Sequence, residues 1–256
     1  VFALQPGCTT HQVFHFRHSV MAARAKPAGR SAVKKKLKRP AKEVKKLSSG
    51  CLTKLLKVYK GLDDFHLPLF KEVQKIAKAR QILYPGSHWH LQASLVFPDV
   101  TYVDYNQKVA PFFEDSAVLA WVTANKSYPT EPKLKICLTD FEHLKLPSQA
   151  FDLLISMSAG IVSKPCTRYL RIGGYFLVSD AHFDARTVAL DKRFSLVGVY
   201  NMESKKLETK DLESCFMTTA GKITSQQVEV SKVKPKGSRG FKLLREDCFY
   251  LFKRIK

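Results

Sequence analysis

The sequence predicts an α/β fold: a doubly wound, mostly parallel sheet of seven strands with helices on both faces and an antiparallel last strand, preceded by a basic, disordered arm. Two observations predict the sheet. Apolar runs of strand length recur along the chain, and near-continuous apolar runs are typical of strands that are covered on both faces. Helical stretches lie between most of these runs, and such alternation favours parallel strands.

Two amphipathic helices are predicted before the sheet. Residues 51–62 and 67–79 each place apolar side chains at helical spacing. Pro68 suits the first turn of the second helix, where a missing backbone N–H costs nothing. Both helices are expected to have basic outer faces.

Seven strands are predicted from there to the end of the chain. They are QILY (81–84), VTYVD (100–104), LKICLTD (134–140), FDLLISM (151–157), GGYFLVSD (173–180), FSLVGVYN (194–201) and CFYLFKRI (248–255). Helical stretches are expected at 109–125 and 159–170. In the polar segment before the last strand, residues 227–233 (QVEVSKV) alternate between polar and apolar, so an additional edge strand is predicted there.

The positive charge is concentrated at the start of the chain. The net charge is +21, and residues 1–60 hold 15 Lys and Arg against one acid, Glu43. Low hydrophobicity with high net charge predicts a disordered arm at 1–50, followed by one α/β domain at 51–256. Residues 24–46 are expected to bind nucleic acid or a ribonucleoprotein through counterion release. The alternative is a tail that only keeps the protein in solution.

Composition also bears on the compartment. The acid-free leader fits a transit peptide for a mitochondrion or plastid, whereas KKKLKRPAKEVKK fits localisation to the nucleus or nucleolus. Met21 resembles a natural start, so residues 1–20 are either an upstream extension or part of a targeting segment. Six scattered cysteines without a C-x-x-C pair predict an intracellular, reducing compartment rather than secretion. No apolar run approaches the roughly 18 residues of a membrane helix, so no membrane partner is expected.

The stretch ILYPGSHWHLQASLVFPDVTYVDYN (82–106) has the order of parts of a nucleotide-binding unit: strand, turn with Gly86, packing segment, and a second strand ending in Asp104. Ligands of open α/β sheets bind at the carboxyl ends of the strands. A carboxylate there can accept two hydrogen bonds from a ribose diol. The alternative for both Asp104 and Asp140 is a helix cap or a turn.

This order of motifs, with LRIGG at 170–174 before the fifth strand, resembles the class I S-adenosylmethionine-dependent methyltransferases over residues 65–255. The first loop departs from that family's acidic residue and G-x-G-x-G, since it reads YPGSHWH. The resemblance implies S-adenosyl-L-methionine as the cofactor. It carries the cofactor contacts to Tyr84, Gly86, Ser87, Asp104, Tyr105, Asp140, Phe141, Ser156 and Met157.

Catalytic residues are not visible in the sequence. The fourth strand ends in SMSAGIV rather than N-P-P-Y, which disfavours methylation of an exocyclic base amine. Cys166 is expected in the core, because no activating base is identifiable. His182 and Asp184 are either an acid–base pair or the cap of the next helix. His88 and His90 have no third ligand at a recognisable spacing, so a loop role and no metal are expected.

Other nucleotide-binding and hydrolase folds lack their motifs here. There is no G-x-x-x-x-G-K-[ST], no G-x-G-x-x-G and no G-x-S-x-G in the chain. Two functions are therefore predicted. One is a divergent S-adenosylmethionine-binding, methyltransferase-like enzyme with an unidentified substrate. The alternative is an inactive protein of the same fold that serves as a module for binding RNA or a ribonucleoprotein, or as a scaffold.

Overall fold

The computed structural model describes residues 49–232 and 241–256. Residues 24–46, for which nucleic-acid binding is predicted, and residues 1–20 lie outside the described residues. Within the described residues, no helix is both long enough and apolar enough to cross a membrane.

A mostly parallel sheet of eight strands forms the centre of the structure. The strands of the chain are β1 (Gln81–Pro85), β2 (Asp99–Asp104), β3 (Lys133–Leu138), β4 (Phe151–Ser156), β5 (Leu170–Ser179), β6 (Phe194–Asn201), β7 (Lys206–Glu208), β8 (Met217–Thr218), β9 (Gly221–Lys222) and β10 (Phe249–Arg254). The order across the sheet is β3-β2-β1-β4-β5-β10-β6-β7, and β8 and β9 pair separately. Strands β1 to β5 pair in parallel, whereas β10 runs antiparallel between β5 and β6. The predicted fold class is confirmed, with all seven predicted strands present.

Helices cover both faces of this sheet. They are α1 (Gly50–Tyr59), α2 (His66–Ala77), α3 (Ala110–Glu114), α4 (Ser116–Asn125), α5 (Ser163–Cys166), α6 (Asp184–Ala189) and α7 (Ser225–Lys232). The helix predicted at 109–125 is divided at Asp115, whose side chain accepts hydrogen bonds from the backbone N–H groups of Ala117 and Val118 and so caps α4.

The edge strand predicted at 227–233 is wrong, because most of that segment is helix α7. Thr224 and Gln227 explain the difference. The Gln227 side chain accepts from the backbone N–H of Thr224 at 2.8 Å, and the Thr224 hydroxyl accepts from the backbone N–H of Gln227 at 3.3 Å. This reciprocal pair is a capping box, which starts a helix regardless of the alternation that follows.

The core consists of two apolar layers, one on each side of the sheet. Along β1, Ile82 and Tyr84 enter the layer shared with α1 to α4, whereas Leu83 enters the opposite layer. After β1 the chain forms a short 3₁₀ helix, Leu91–Leu95, all of which is buried. A turn of 3₁₀ helix thus stands where a full α-helix commonly connects two parallel strands.

Candidate functional site

The site predicted from the sequence lies where the strand order reverses. Strand β1 is flanked by β2 on one side and by β4 on the other. The chain leaves β1 toward one half of the sheet and later returns beside it to build the other half. Such a switch point opens a crevice at the carboxyl ends of the strands, where ligands of α/β sheets bind.

The turn after β1 is held tightly against its neighbours. Gly86 has a φ of +62°, a region that favours glycine. Its backbone N–H donates to the Val103 carbonyl at 2.7 Å. A Cβ atom on Gly86 would lie 2.2 Å from the Cβ of Ala159, so the turn after β4 packs directly on this glycine.

Asp104 ends β2 and is buried, with 8% of its surface exposed. Its Oδ2 accepts from the backbone N–H of His88 at 2.8 Å, and its Oδ1 accepts from the backbone N–H of Asn106 at 2.9 Å. Both oxygens of the carboxylate therefore organise backbone. One of those bonds comes from the turn after β1, so Asp104 joins the two strand ends.

The neighbouring predicted residues are far more exposed. Tyr105 follows Asp104 with 76% of its surface exposed. Asp140 follows β3, is exposed, and accepts from the backbone N–H of Glu142 at 2.9 Å as the cap of a short 3₁₀ helix. Phe141 is half-buried. This hydrogen bond is the one expected if Asp140 caps a turn, the alternative given by the sequence.

The end of β4 is tied to helix α6. The buried Ser156 hydroxyl donates to Asp184 Oδ2 at 3.1 Å. Asp184 also accepts from the backbone N–H groups of Val162 and Ser163, and burial raises its pKa. Asp184 thus fixes the chain after β4. Met157, which follows Ser156, is half-buried.

Two further sequence alternatives concern His182 and Cys166. His182 is exposed, and its Nε2 lies 3.0 Å from the carbonyl oxygen of Ser158. Cys166 is fully buried, and burial raises its thiol pKa to about 12. A thiol with that pKa is a core residue rather than a nucleophile.

The side-chain hydroxyls of Tyr84 and Ser87 are engaged in contacts within the protein rather than free to face the crevice. The Tyr84 hydroxyl lies 2.9 Å from His90 Nδ1 inside the core layer that contains α2. Ser87 is buried, and its hydroxyl donates to the His88 carbonyl at 3.2 Å.

A cluster of Asp64, His66 and His90 lies beside this turn and was missed in the sequence. His90 Nε2 is 2.7 Å from Asp64 Oδ2, and His66 Nδ1 is 2.9 Å from Asp64 Oδ1. Asp64 and His90 are buried, with 5% and 3% of their surfaces exposed. The D-x-H spacing before α2 was the only available signal, because His90 comes from the turn after β1.

Hydrogen bonding decides the electrostatics of this cluster. Burial alone would raise the pKa of Asp64, but hydrogen bonds from His66 and His90 outweigh it and hold that pKa well below its usual range. Burial lowers the pKa of His66. The Asp64 carboxylate is therefore ionised although it is buried from water. Burial disfavours the protonated, positively charged form of His66 beside it.

Tyr59 links the cluster to the predicted cofactor residues. Its hydroxyl lies 2.8 Å from His88 Nδ1, and the backbone N–H of His88 is the donor to Asp104. Burial, followed by the charges of Asp64 and Asp104, raises the pKa of Tyr59. Tyr59 therefore stands between the two carboxylates as a neutral phenol.

A separate cavity of about 490 Å³ lies at the other edge of the sheet, near the amino ends of the strands. Its lining includes Arg80, Asp99 and Asp152. Asp152 is committed to structure, since it accepts from the backbone of Arg80 and Gln81 and pairs with Arg171 at 2.7 Å. The switch-point crevice is thus distinct from this cavity.

Comparison with known proteins gives likenesses of fold. No family model matches the chain, and no curated protein matches it. The O-methyltransferase TomG from Streptomyces achromogenes, solved in complex with S-adenosylmethionine, is 11% identical over 82% of this chain and 91% of its own, with a TM-score of 0.44. A putative O-methyltransferase from Klebsiella pneumoniae is 12% identical over 83% and 94%, with a TM-score of 0.45.

The [4+2]-cyclase SpnF is 18% identical with a TM-score of 0.35, and the chain spans 45% of its length. At these values the likenesses carry no argument about activity, and the assignment to the class I methyltransferase-like fold rests on the strand order and the antiparallel β10.

Proposed function

We propose that the chain is an S-adenosylmethionine-binding, methyltransferase-like protein whose cofactor occupies the crevice at the carboxyl ends of β1 and β2. The observation that supports it is the pairing of Gly86 and Asp104 at the switch point. Gly86 allows close approach of backbone to a ligand, and Asp104 offers a carboxylate to a ribose diol. The exposed ring of Tyr105 offers a face on which adenine can stack.

The proposed binding requires part of this site to move. Ala159 lies against Gly86, and the backbone N–H of His88 lies on Asp104. The turn after β4 contains Ser158 at φ +62° and Gly160 at φ +103°. We infer that the cofactor displaces this turn and exchanges the His88 contact of Asp104 for its own hydroxyl groups.

The proposed reaction is methyl transfer by positioning. Once the crevice holds the sulfonium methyl in line with an acceptor, proximity and orientation supply most of the rate. No side chain of the site is assigned as acid or base. The acceptor is expected to approach over the end of β4, where Ser156 is committed to Asp184 and Met157 is half-buried.

Calorimetric titration of the full chain with S-adenosylmethionine and S-adenosylhomocysteine tests the proposal. Micromolar binding is expected. Tyr105→Ala should weaken it about tenfold, since an aromatic stack is worth about 0.5–1.5 kcal/mol. Tyr105 is exposed, so this change leaves the fold intact. Lys108→Ala, on the same connection and also exposed, is the matched control.

Two results would reject the cofactor site. One is the absence of heat at millimolar ligand. The other is equal affinity in wild type and Tyr105→Ala, which would place the ligand elsewhere.

We infer as a second candidate a protein of this fold without transfer activity that holds nucleic acid through residues 24–46. The concentration of 15 Lys and Arg within residues 1–60 supports it. The packing of Ala159 on Gly86 also favours a crevice without a cofactor. Salt dependence reports how many phosphates the protein contacts. The logarithm of the binding constant falls with the logarithm of the salt concentration, with a slope of roughly −0.7 per phosphate contact on single strands.

The test is filter binding of single-stranded RNA between 50 and 200 mM salt, about the range over which such contacts weaken binding strongly. Changing Lys34, Lys35, Lys36, Lys38 and Arg39 to Gln should flatten the salt slope and abolish most binding. Changing Lys205, Lys206 and Lys210 to Gln is the control within the described residues. A slope that the first variant leaves unchanged would reject residues 24–46 as the binding segment.

A further inference from the structure

Three side chains with metal-binding atoms converge beside β1. Asp64 lies just before α2, His66 is the first residue of α2, and His90 comes from the turn after β1. One ligand atom from each of the three lies within 4.8 Å of the others. This arrangement brings a segment at the beginning of the fold to the carboxyl end of the central strand.

The donor set is that of a transition-metal site. Two imidazoles and one carboxylate suit Zn²⁺, which takes nitrogen ligands at about 2.0–2.1 Å and oxygen ligands at about 2.0–2.2 Å. Ligands at those distances in a tetrahedron stand about 3.3 Å apart. The present His-to-Asp64 distances of 2.7 and 2.9 Å therefore need to widen by about half an ångström.

The surroundings already orient these ligands. The buried Tyr84 hydroxyl lies 2.9 Å from His90 Nδ1, so Nε2 is the nitrogen that faces Asp64. Since a hydroxyl can donate or accept, Tyr84 can receive the Nδ1–H when Nε2 binds an ion. Asp64 Oδ1 also accepts from the backbone N–H of His66 at 2.6 Å. Partners of this kind fix metal ligands in known sites.

Burial also favours a cation in this place. The side chains of Asp64 and His90 are each 3% exposed, and each oxygen of the Asp64 carboxylate lies against an imidazole nitrogen. Buried charges are normally paired or coordinate metals.

We propose that Asp64, His66 and His90 bind one divalent first-row transition-metal ion of the zinc type. Three protein ligands leave a fourth position open, which is the composition of catalytic rather than structural zinc sites. Tyr59 packs on the proposed ligand His90, with its ring centroid 4.7 Å from that of the imidazole. The three proposed ligands are distinct from Gly86, Asp104 and Tyr105, and the proposed metal binding does not depend on cofactor binding.

The experiment uses the full chain after removal of metals with a chelator. His11, His15 and His18 also carry imidazoles, so they are changed to Gln in the background for all measurements. Zn²⁺ affinity is measured against a chromophoric chelator, and Co²⁺ is added as a visible-absorption probe of the coordination geometry. One ion per chain is expected, with a Co²⁺ spectrum of low coordination number and a Tm that rises with free Zn²⁺.

Ligand variants locate the ion. His66→Gln and His90→Gln should each weaken Zn²⁺ binding more than about tenfold, and Tyr84→Phe should weaken it about 10- to 100-fold as the loss of an orienting partner. His182→Gln, an exposed histidine elsewhere in the described residues, should leave the affinity unchanged.

The proposal fails if the background protein binds no Zn²⁺ or Co²⁺, or if His66→Gln binds as tightly as its parent. In either case the three residues form a hydrogen-bonded network that serves folding alone. If His90→Gln does not fold, the Co²⁺ spectrum of the background protein and the His66→Gln affinity still decide the matter.

Discussion

Asp104 and Asp140 occupy equivalent places in the sheet and have very different surroundings. Each follows or ends a parallel strand, β2 or β3, and each precedes an aromatic residue. Asp104 is buried and accepts from the backbone of His88, sixteen positions earlier in the chain. Asp140 is exposed, and its carboxylate accepts from the backbone N–H of Glu142, two positions later.

Position in the sheet accounts for the difference. Strand β2 lies between β1 and β3, so the turn after β1 can close over its end. Strand β3 is at the sheet edge, and its end has one neighbouring strand. A carboxylate at the end of a strand is therefore buried and hydrogen-bonded to another segment only where a neighbouring turn packs over that end.

The largest loss of stability is expected at Gly86, in the turn that closes over the end of β2. Gly86→Ala places a Cβ 2.2 Å from that of Ala159 and forces alanine to φ +62°. The free energy of unfolding should fall by about 3 kcal/mol, of which backbone strain supplies about 1–2 kcal/mol and overpacking the rest. Urea unfolding followed by circular dichroism measures it.

Ala159→Gly is the matched control for this prediction. In that background the steric part disappears, so Gly86→Ala should cost only the backbone strain of about 1–2 kcal/mol. An equal loss in both backgrounds would mean that Ala159 does not lie on Gly86. The crevice would then be open to a cofactor without movement of the turn after β4.

The next effect compares the two aspartates directly. Asp104→Asn turns an NH₂ group toward one of two backbone N–H donors and leaves that donor unsatisfied, which should lower the free energy of unfolding by about 1–3 kcal/mol. Asp140→Asn still caps its turn, so it should change the value by less than about 0.5 kcal/mol. Parallel urea titrations give both numbers. Similar losses in the two variants would contradict the contrast in burial.

The sheet could be predicted from the sequence because each strand carries its own apolar run. The segment at 227–233 was mispredicted because its alternation is a local signal, and the capping box of Thr224 and Gln227 begins just before it. The additional strand β7 (Lys206–Glu208) has three residues and no apolar run to reveal it. Short elements stabilised by their partners leave little trace in composition.

The site was predictable only in outline. Gly86 and Asp104 were found because their motifs lie at strand ends, and their role in cofactor binding stays a prediction. The Asp64, His66 and His90 cluster was not found, because its members come from two segments that only the packing of α2 on β1 brings together. Burial of His90 was equally invisible, since HWH reads as a polar turn.

The smallest effect is expected in the pH dependence of stability, and it follows from a comparison of Asp64 with Asp104. The partners of Asp104 are backbone N–H groups, which do not titrate, whereas those of Asp64 are imidazoles. Burial lowers the pKa of His66 below the ordinary histidine value of 6.5. Below pH 6.5 the unfolded chain therefore binds a proton at His66 that the folded chain does not bind, and stability is lost as the pH falls.

Urea unfolding measures this effect. Unfolding midpoints at two pH values, one on either side of 6.5, should differ more in wild type than in His66→Gln, with His182→Gln behaving as wild type. If His66→Gln kept the full pH dependence, the acid sensitivity would come from groups other than His66.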